Sequence, residues 1–430
     1  MAIEKLIIKN FAGLDFIEIE IKKINILIGP QASGKSIIAK ILFYCKGLID
    51  EIFSQGINLK EKRELDREIK NKFEEYFPVD SWEDNMFSIC YYIGEEYIKI
   101  ENFESNNKKS NFRINYSDFY KSSLIKVRKA SRRIQKKIKE TDIDIPNQMF
   151  SRLDMIYDYN NYFLDDVAKK FGKEVSFSQL FIPAGRSFFA HLQNNIFSFL
   201  SENNKIDPFL VEFGNYYDRV KNSVRMSKVR EDKDFKSLNI DYLKNKILLG
   251  QYIQIKGQDY LKMSDGRQIQ LSNCSSGQQE ALPLTLILES IPFFGRGLTG
   301  QSVYIEEPEA HLFPTAQKDI VDLMATVYNY GKERVQFFIT THSPYILTAF
   351  NNLLQAGILA KDASKDKLKR ITKIVPDSRF LNTDEIAVYS LSNGNCNSII
   401  SEETGLIDAE IIDSVSQDLA IQFENLLEIE

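Results

Sequence analysis

The sequence predicts an α/β fold: a mixed sheet that carries a phosphate loop, an antiparallel β layer beside it, and a large, mostly helical insertion. Three observations carry this. Ile24 to Ser36, INILIGPQASGKS, is an apolar strand running straight into a Gly-rich turn, and Ile37, Ile38, Ile41, Leu42 and Cys45 follow at helical spacing. Two further apolar strands, Val303 to Glu307 and Val335 to Ile339, come late in the chain and end in chemically active side chains. Between these halves the composition turns charged and helical in period.

The chain opens with a hairpin. Ile3 to Lys9 and Phe16 to Lys22 read as paired strands, the second with Ile17, Ile19 and Ile21 on one face and Glu18, Glu20 and Lys22 on the other. A hairpin leading into the next strand sets an antiparallel layer beside the phosphate loop, where Phe11 serves either a nucleotide base or the core. Gly29, Pro30, Gln31, Ala32, Ser33, Gly34, Lys35 and Ser36 then fill every fixed position of G-x-x-x-x-G-K-[ST]. The glycines let backbone N–H groups converge on an anion, and the helix start at Ile37 adds its positive dipole end. Lys35 supplies a point charge toward the β and γ phosphates, and the Ser36 hydroxyl is a magnesium ligand. ATP and Mg2+ are therefore the expected cofactors.

Beyond that helix, Leu59 to Phe77 is charged and helical, and Met86 to Asn102 alternates as strands around Gly94-Glu95. Lys121 to Lys139 is a basic helix holding Lys126, Arg128, Lys129, Arg132, Arg133, Lys136 and Lys137, with no acidic residue before Glu140. It either tracks phosphates, as in DNA, or is a solvated face of an arm. Tyr157, Tyr159, Tyr162 and Phe163 read as helix packing. Gln179 to Ser187, QLFIPAGRS, is a short core strand ending in Arg186, which reaches a phosphate, a carboxylate or a structural salt bridge. Helices follow to Leu248, then strands at Tyr252 to Lys256, Gln258 to Met263 and Arg267 to Leu271.

Composition bounds the class. The 430 residues are 43% apolar and 27% charged with net charge −5, enough for a large core in two or three domains and too acidic for nucleic-acid binding by the molecule as a whole. Cys45, Cys90, Cys274 and Cys396 have no zinc spacing, and no secretory signal accompanies them, so a cytoplasmic location is expected. No apolar run approaches the ~20 residues that cross a bilayer, and no membrane partner is expected.

The second half of the site begins at Ser275-Ser276-Gly277-Gln278, a helix start offering N–H groups and hydroxyls to an anion. At the end of VYIEE, Glu306 holds magnesium through water and Glu307 orients or deprotonates the attacking water. His342, in TTHSP after the next strand, hydrogen bonds to the γ phosphate; His311 is either functional or a satisfied turn residue.

Taken in order, GPQASGKS, SSGQQE, VYIEEPEAHLFP and TTHSPYIL resemble the ABC-type ATPases related to the SMC proteins, and most closely the ATPase half of the OLD (overcoming lysogenization defect) family. The likeness spans about Ala2 to Ile49 and Tyr252 to Leu353. It implies an ABC-type ATPase head with a signature at Ser275 to Gln278, a Walker B pair in Glu306 and Glu307, a D-loop near Glu309 to Leu312 and a switch histidine at His342. Glu306 stands where many relatives have aspartate and Ser276 where the signature often has glycine; Gln179 and Gln193 are the candidates for a Q-loop. An OLD nuclease would carry an Asp-x-Asp pair after the histidine strand, and the tail has none; Asp142 and Asp144 sit in the insertion without the required framing. The chain thus resembles stand-alone ATPases of anti-phage systems such as Septu (PtuA), PARIS (AriA) and those accompanying retrons, whose nuclease is a separate chain.

The expected organisation is residues 1–50 and 251–353 as two parts of one ATPase core, 51–250 as the insertion with a core strand near 179–187, and 354–430 as a closing or partner-docking piece. With one phosphate loop and one signature per chain, the resemblance implies a head-to-tail homodimer, or a higher even oligomer, closed around two ATP molecules. Two functions compete: a sensor or scaffold controlling a separate nuclease in anti-phage defence, and a DNA repair or chromosome-maintenance ATPase. A self-contained nuclease is disfavoured by the missing carboxylates.

Overall fold

The computed structural model describes residues 2–57, 62–82, 86–104, 110–140, 167–190, 206–224, 233–293, 300–332, 334–408, 420–427 and 429. The tyrosine-rich stretch 157–166, His191, Gln193 and the Asp142/Asp144 pair lie outside them.

Among the described residues eleven strands form one sheet in the order β6-β5-β4-β1-β2-β14-β13-β3-β12-β11-β7, with β14 at Asn395–Ser398 and the other ranges as follows. Its centre is parallel: β3 (Ile24–Ile28) lies between β13 (Ile386–Ser392) and β12 (Val335–Thr341), with β11 (Gln301–Glu306) and β7 (Ser178–Ile182) beyond. Every residue of β3, β11 and β12 is buried, because helices cover both faces, and this is why these strands read as unbroken apolar runs. Successive side chains still alternate between the two faces. Ile24, Ile26 and Ile28 join one core with Val303, Ile305, Phe337 and Ile339, whereas Leu27 joins the other with Tyr304, Phe338 and Tyr389.

The other limb is antiparallel and belongs to the same sheet. β1 (Glu4–Phe11) pairs with β2 (Leu14–Ile21) and β4 (Phe87–Ile93), and β5 (Glu96–Glu104) and β6 (Ser110–Tyr116) extend it. The region between the two core halves is therefore not only helical, since three of its strands continue the sheet edge. Phe11 is fully buried among Phe73, Phe77 and Phe87, so of its two readings the core one holds. The tail also enters the sheet: β13 pairs with the phosphate-loop strand from Ile386↔Ile24 to Ser390↔Ile28. A separate small sheet holds β8 (Gln251–Ile255), β9 (Gln258–Lys262) and β10 (Gln268–Gln270).

On one face of the sheet lies α1 (Lys35–Ile57), whose Ile38, Ile41, Leu42 and Cys45 are fully buried, with α2 (Lys62–Tyr76) and α3 (Asp118–Glu140) in the same core. The opposite core takes α4 (Pro208–Val224), α5 (Ile240–Leu248), α6 (Ser276–Ser290), α7 (Pro314–Tyr330) and α8 (Pro344–Lys361). In α3, Tyr120, Leu124 and Val127 face inward, while Lys121, Lys126, Lys129, Arg132, Arg133 and Lys136 are exposed. Among the described residues no helix is long and apolar enough to cross a membrane.

Candidate functional site

The parallel register brings the ends of β3, β12 and β11 side by side. Ile28 pairs with Thr341, and Thr340 with Glu306, so the phosphate loop, His342 and the Glu306–Glu307 pair leave one edge of the sheet together. Loops at the carboxyl edge of parallel strands are where α/β proteins hold ligands.

Two glycines are forced by their surroundings. A Cβ on Gly29 would strike the Leu391 carbonyl oxygen of β13, and one on Gly34 would strike the Leu14 side chain. Gly34 also has φ of 92°, and Ala32 between them has φ of 60°, both in the left-handed region. The loop's shape thus depends on β2 and β13 as well as on its own residues. Pro30, Gln31 and Ala32 are exposed, Ser33 and Ile37 half-buried, and Ser36 exposes its residue at the first turn of α1.

Lys35 is 4% exposed and turns back over its own loop. Its ammonium donates to Gly29 O at 2.8 Å, Pro30 O at 2.7 Å and Ser33 Oγ at 3.2 Å, and lies 3.3 Å from His342 Nδ1. Burial pulls its pKa from 10.5 down to about 8, although Glu307 and then Glu309 oppose the shift. The other ring nitrogen of His342, Nε2, lies 3.2 Å from Glu307 Oε1. Its two ring nitrogens thus face opposite charges, Lys35 on the Nδ1 side and Glu307 on the Nε2 side. The histidine therefore bridges the loop lysine and the second carboxylate.

Glu306 is 6% exposed; its Oε2 accepts from Ala184 N at 3.2 Å, and its Oε1 is buried with no partner among the described residues. The Thr340 Oγ1 on the paired residue likewise has no partner among the described residues. A buried carboxylate oxygen left unpaired is costly, and together with the Ser36 hydroxyl it offers the hard oxygen donors that suit Mg2+. The site residues thus fit that ion.

The sequence reading named Arg186 and Glu309 without their partners and gave Glu280 no role. Glu309 accepts from Thr341 Oγ1 and from His342 N, both at 2.7 Å, and so fixes the strand end that carries the histidine; its Oε2 has no partner among the described residues. Arg186, completely buried, donates Nε to Glu280 O at 3.1 Å, Nη1 to Pro183 O at 2.9 Å and Glu306 O at 2.8 Å, and Nη2 to Glu307 O at 3.0 Å. The Glu280 carboxylate accepts from Arg186 N and Ser187 N, both at 2.9 Å, and lies 3.3 Å from Arg186 Nε. Of the readings open for Arg186, the ion pair with a carboxylate inside the fold is the one observed. The only sequence signal for Glu280 was its place one turn past the serine turn.

Ser275 caps α6 in a reciprocal box: Gln278 N reaches Ser275 Oγ at 3.4 Å, and Ser275 N donates to Gln278 Oε1 at 3.1 Å. Gln278 Nε2 is spent on Leu248 O at 2.7 Å, so this residue serves the fold. Gly277 is buried where a Cβ would come within 2.6 Å of His311 O, so the His311 carbonyl, and not its exposed ring, meets the helix start. Ser275 and Ser276 face outward. Gln179 accepts from Tyr304 OH at 2.8 Å near the start of β7, where it pairs with Ser302, and not at the loop edge.

Residues 1–347 match the family model described as an AAA ATPase domain. No curated protein matches the sequence. Among solved structures the chain is similar to an SMC head domain from Thermotoga maritima, at 12% identity over 94% of this chain and 100% of that one, with a TM-score of 0.35. It is also similar to an Smc head domain with an extended coiled coil, bound to the C-terminal domain of ScpA and derived from Pyrococcus furiosus, at 14% identity over 97% and 99% with a TM-score of 0.37. An SmcHead bound to the C-winged helix domain of ScpA aligns at 14% identity over 93% and 97% with a TM-score of 0.39.

Proposed function

The chain belongs to the AAA ATPase domain family, and from that premise we propose that it binds ATP with Mg2+ and hydrolyses it in a pocket that two copies complete together. The observation that carries this is the contact chain from Lys35 through His342 to Glu307, beside a buried Glu306 oxygen with no partner among the described residues. Ser36 and Glu306 would hold the ion, which when bound neutralises charge on the phosphates. Lys35 leaves the carbonyls of Gly29 and Pro30 for the β and γ phosphates, Glu307 takes the proton of the attacking water, and His342 senses the γ phosphate. The outward-facing Ser275 and Ser276 support a role toward a second copy, whose triphosphate they would cover.

Closure of such a pair on ATP, and release after hydrolysis, makes the protein a sensor or scaffold that controls a separate effector, a nuclease in anti-phage defence by the resemblance of its motifs. The tail is consistent with this reading: β13 sits inside the ATPase sheet, so the segment around it serves the core. The alternative, direct action on DNA in repair or chromosome maintenance, draws on the exposed cations of α3. The readings part on one pair of measurements. Retention of a nuclease encoded beside this chain through purification, with no salt-dependent DNA binding, favours effector control. DNA binding that weakens steeply with salt and is lost when Lys126, Lys129, Arg132 and Arg133 are reversed to Glu favours the other.

A further inference from the structure

We infer that Arg186 and Glu280 are a positioning couple that ties the serine-turn helix of each protomer to its own Glu306–Glu307 turn, and so couples the two nucleotide sites of the pair. This rests on the head-to-tail reading above.

The connection is continuous and made of buried polar contacts. Ser275 caps α6, and Glu280 follows on the same helix, 2% exposed at its side chain. Its carboxylate grips the backbone N–H groups of Arg186 and Ser187, just past the end of β7. The Arg186 guanidinium then spans to the carbonyls of Glu306 and Glu307, the two residues that would face magnesium and water. Four of its five N–H donors are spent on protein carbonyls, so the residue acts on the reaction through others. A guanidinium is costly to bury, and its rigid planar fork is the property that holds four carbonyls in fixed relation. A second tie runs parallel, because Gly277 packs on the carbonyl of His311 in the turn after Glu307.

In the paired protein the serine turn of one subunit meets the partner's triphosphate, whereas Glu306 and Glu307 serve the subunit's own. A movement of α6 on engaging the partner's γ phosphate is carried by Glu280 and Arg186 to the two carbonyls, which re-aims the carboxylates. Each site thereby responds to occupancy of the other.

The test uses the full chain as wild type, Arg186→Lys and Glu280→Gln. Hydrolysis is followed against ATP concentration, binding with a fluorescent ATP analogue, fold by thermal melting, and pairing by light scattering in a Glu307→Gln background. The wild type is expected to show a Hill coefficient near 2, falling toward about 1 in either variant. The turnover number should drop about tenfold or more, while analogue affinity stays within about threefold and the Glu307→Gln forms still pair. A folded variant that keeps the wild-type Hill coefficient overturns the inference, as does a loss tracked wholly by melting temperature. A protein that pairs but hydrolyses without cooperativity overturns the coupling alone; one that never pairs overturns the head-to-tail reading and the coupling with it. Should Arg186→Lys fail to fold, Glu280→Gln keeps the side-chain shape and one acceptor oxygen and decides the matter.

Discussion

Replacing Glu307 with Gln removes a charge and almost no volume, and the structure separates its chemical from its structural consequences. The backbone of Glu307 is held by its amide donating to Thr340 O at 2.9 Å and its carbonyl accepting from Arg186 at 3.0 Å, neither of which involves the carboxylate. Its φ of 43° is no harder for Gln than for Glu. The carboxylate lies 3.2 Å from His342 Nε2, with the His342 and Glu307 side chains 32% and 38% exposed. A solvent-screened contact of that kind contributes under ~1 kcal/mol, so the variant should melt within a few degrees of the wild type. A positioned base, by contrast, contributes about 10²–10⁴ in rate, or roughly 3–5 kcal/mol of barrier. Phosphate release should therefore fall at least about a hundredfold while ATP stays bound, and light scattering should find the protein trapped as a pair. A folded Glu307→Gln protein that turns over within tenfold of wild type would refute the assignment.

Other expectations follow from the same geometry. Lys35→Ala should cost about a hundredfold in ATP affinity by titration calorimetry, since a charge-assisted contact to phosphate is lost. Because burial holds Lys35 near 8 beside Glu307, Glu309 and His342, a polyphosphate must restore its proton above that pH; affinity should be flat below pH 8 and fall by up to about tenfold per pH unit from 8 toward 10, with proton uptake measurable in buffers of different ionisation heat. The same shift makes the empty fold gain stability as pH rises from about 8 to 10.5, where the unfolded chain binds the extra proton. Gly34→Ala combines a left-handed φ with a collision against the buried Leu14, and should lose roughly 2–4 kcal/mol in urea unfolding. Ending the chain before Ile386 removes the strand paired to the phosphate-loop strand and should yield protein that neither melts cooperatively nor binds ATP.

What the sequence disclosed and what it hid divide by range of interaction. The phosphate loop was legible because its requirements are local: glycines where side chains do not fit, an apolar strand before and a periodic helix after. Val335 to Thr341 and Gln301 to Glu306 were legible for the same reason, as fully buried parallel strands. β14 was not, since NCNS carries a single apolar residue and its pairing to β2 comes from far along the chain; β6 was missed although Phe112, Ile114 and Tyr116 alternate with polar residues in SNFRINY. Nothing local marks Glu280 as the partner of Arg186, 94 residues earlier, or Glu309 as the anchor of His342. Such polar contacts are chosen by tertiary structure, and a sequence reading can name the side chains without their partners.

The centre of the site is built from both ends of the chain. Gly29 lies against the Leu391 carbonyl of β13 and Gly34 against Leu14 of β2, so the loop that begins at residue 29 has its outer walls at residues 14 and 391. Lys35, meanwhile, occupies its own loop's carbonyls and leans on His342, whose backbone is held by Glu309. A ligand that displaces this lysine has to break its hydrogen bonds to Gly29 and Pro30 and gains in exchange a cation already partly stripped of water, which strengthens every contact the cation then makes to phosphate. The low pKa of Lys35 and the inward fold of its side chain are thus two expressions of one arrangement: the loop uses its own lysine to hold its carbonyls until a polyanion takes the charge.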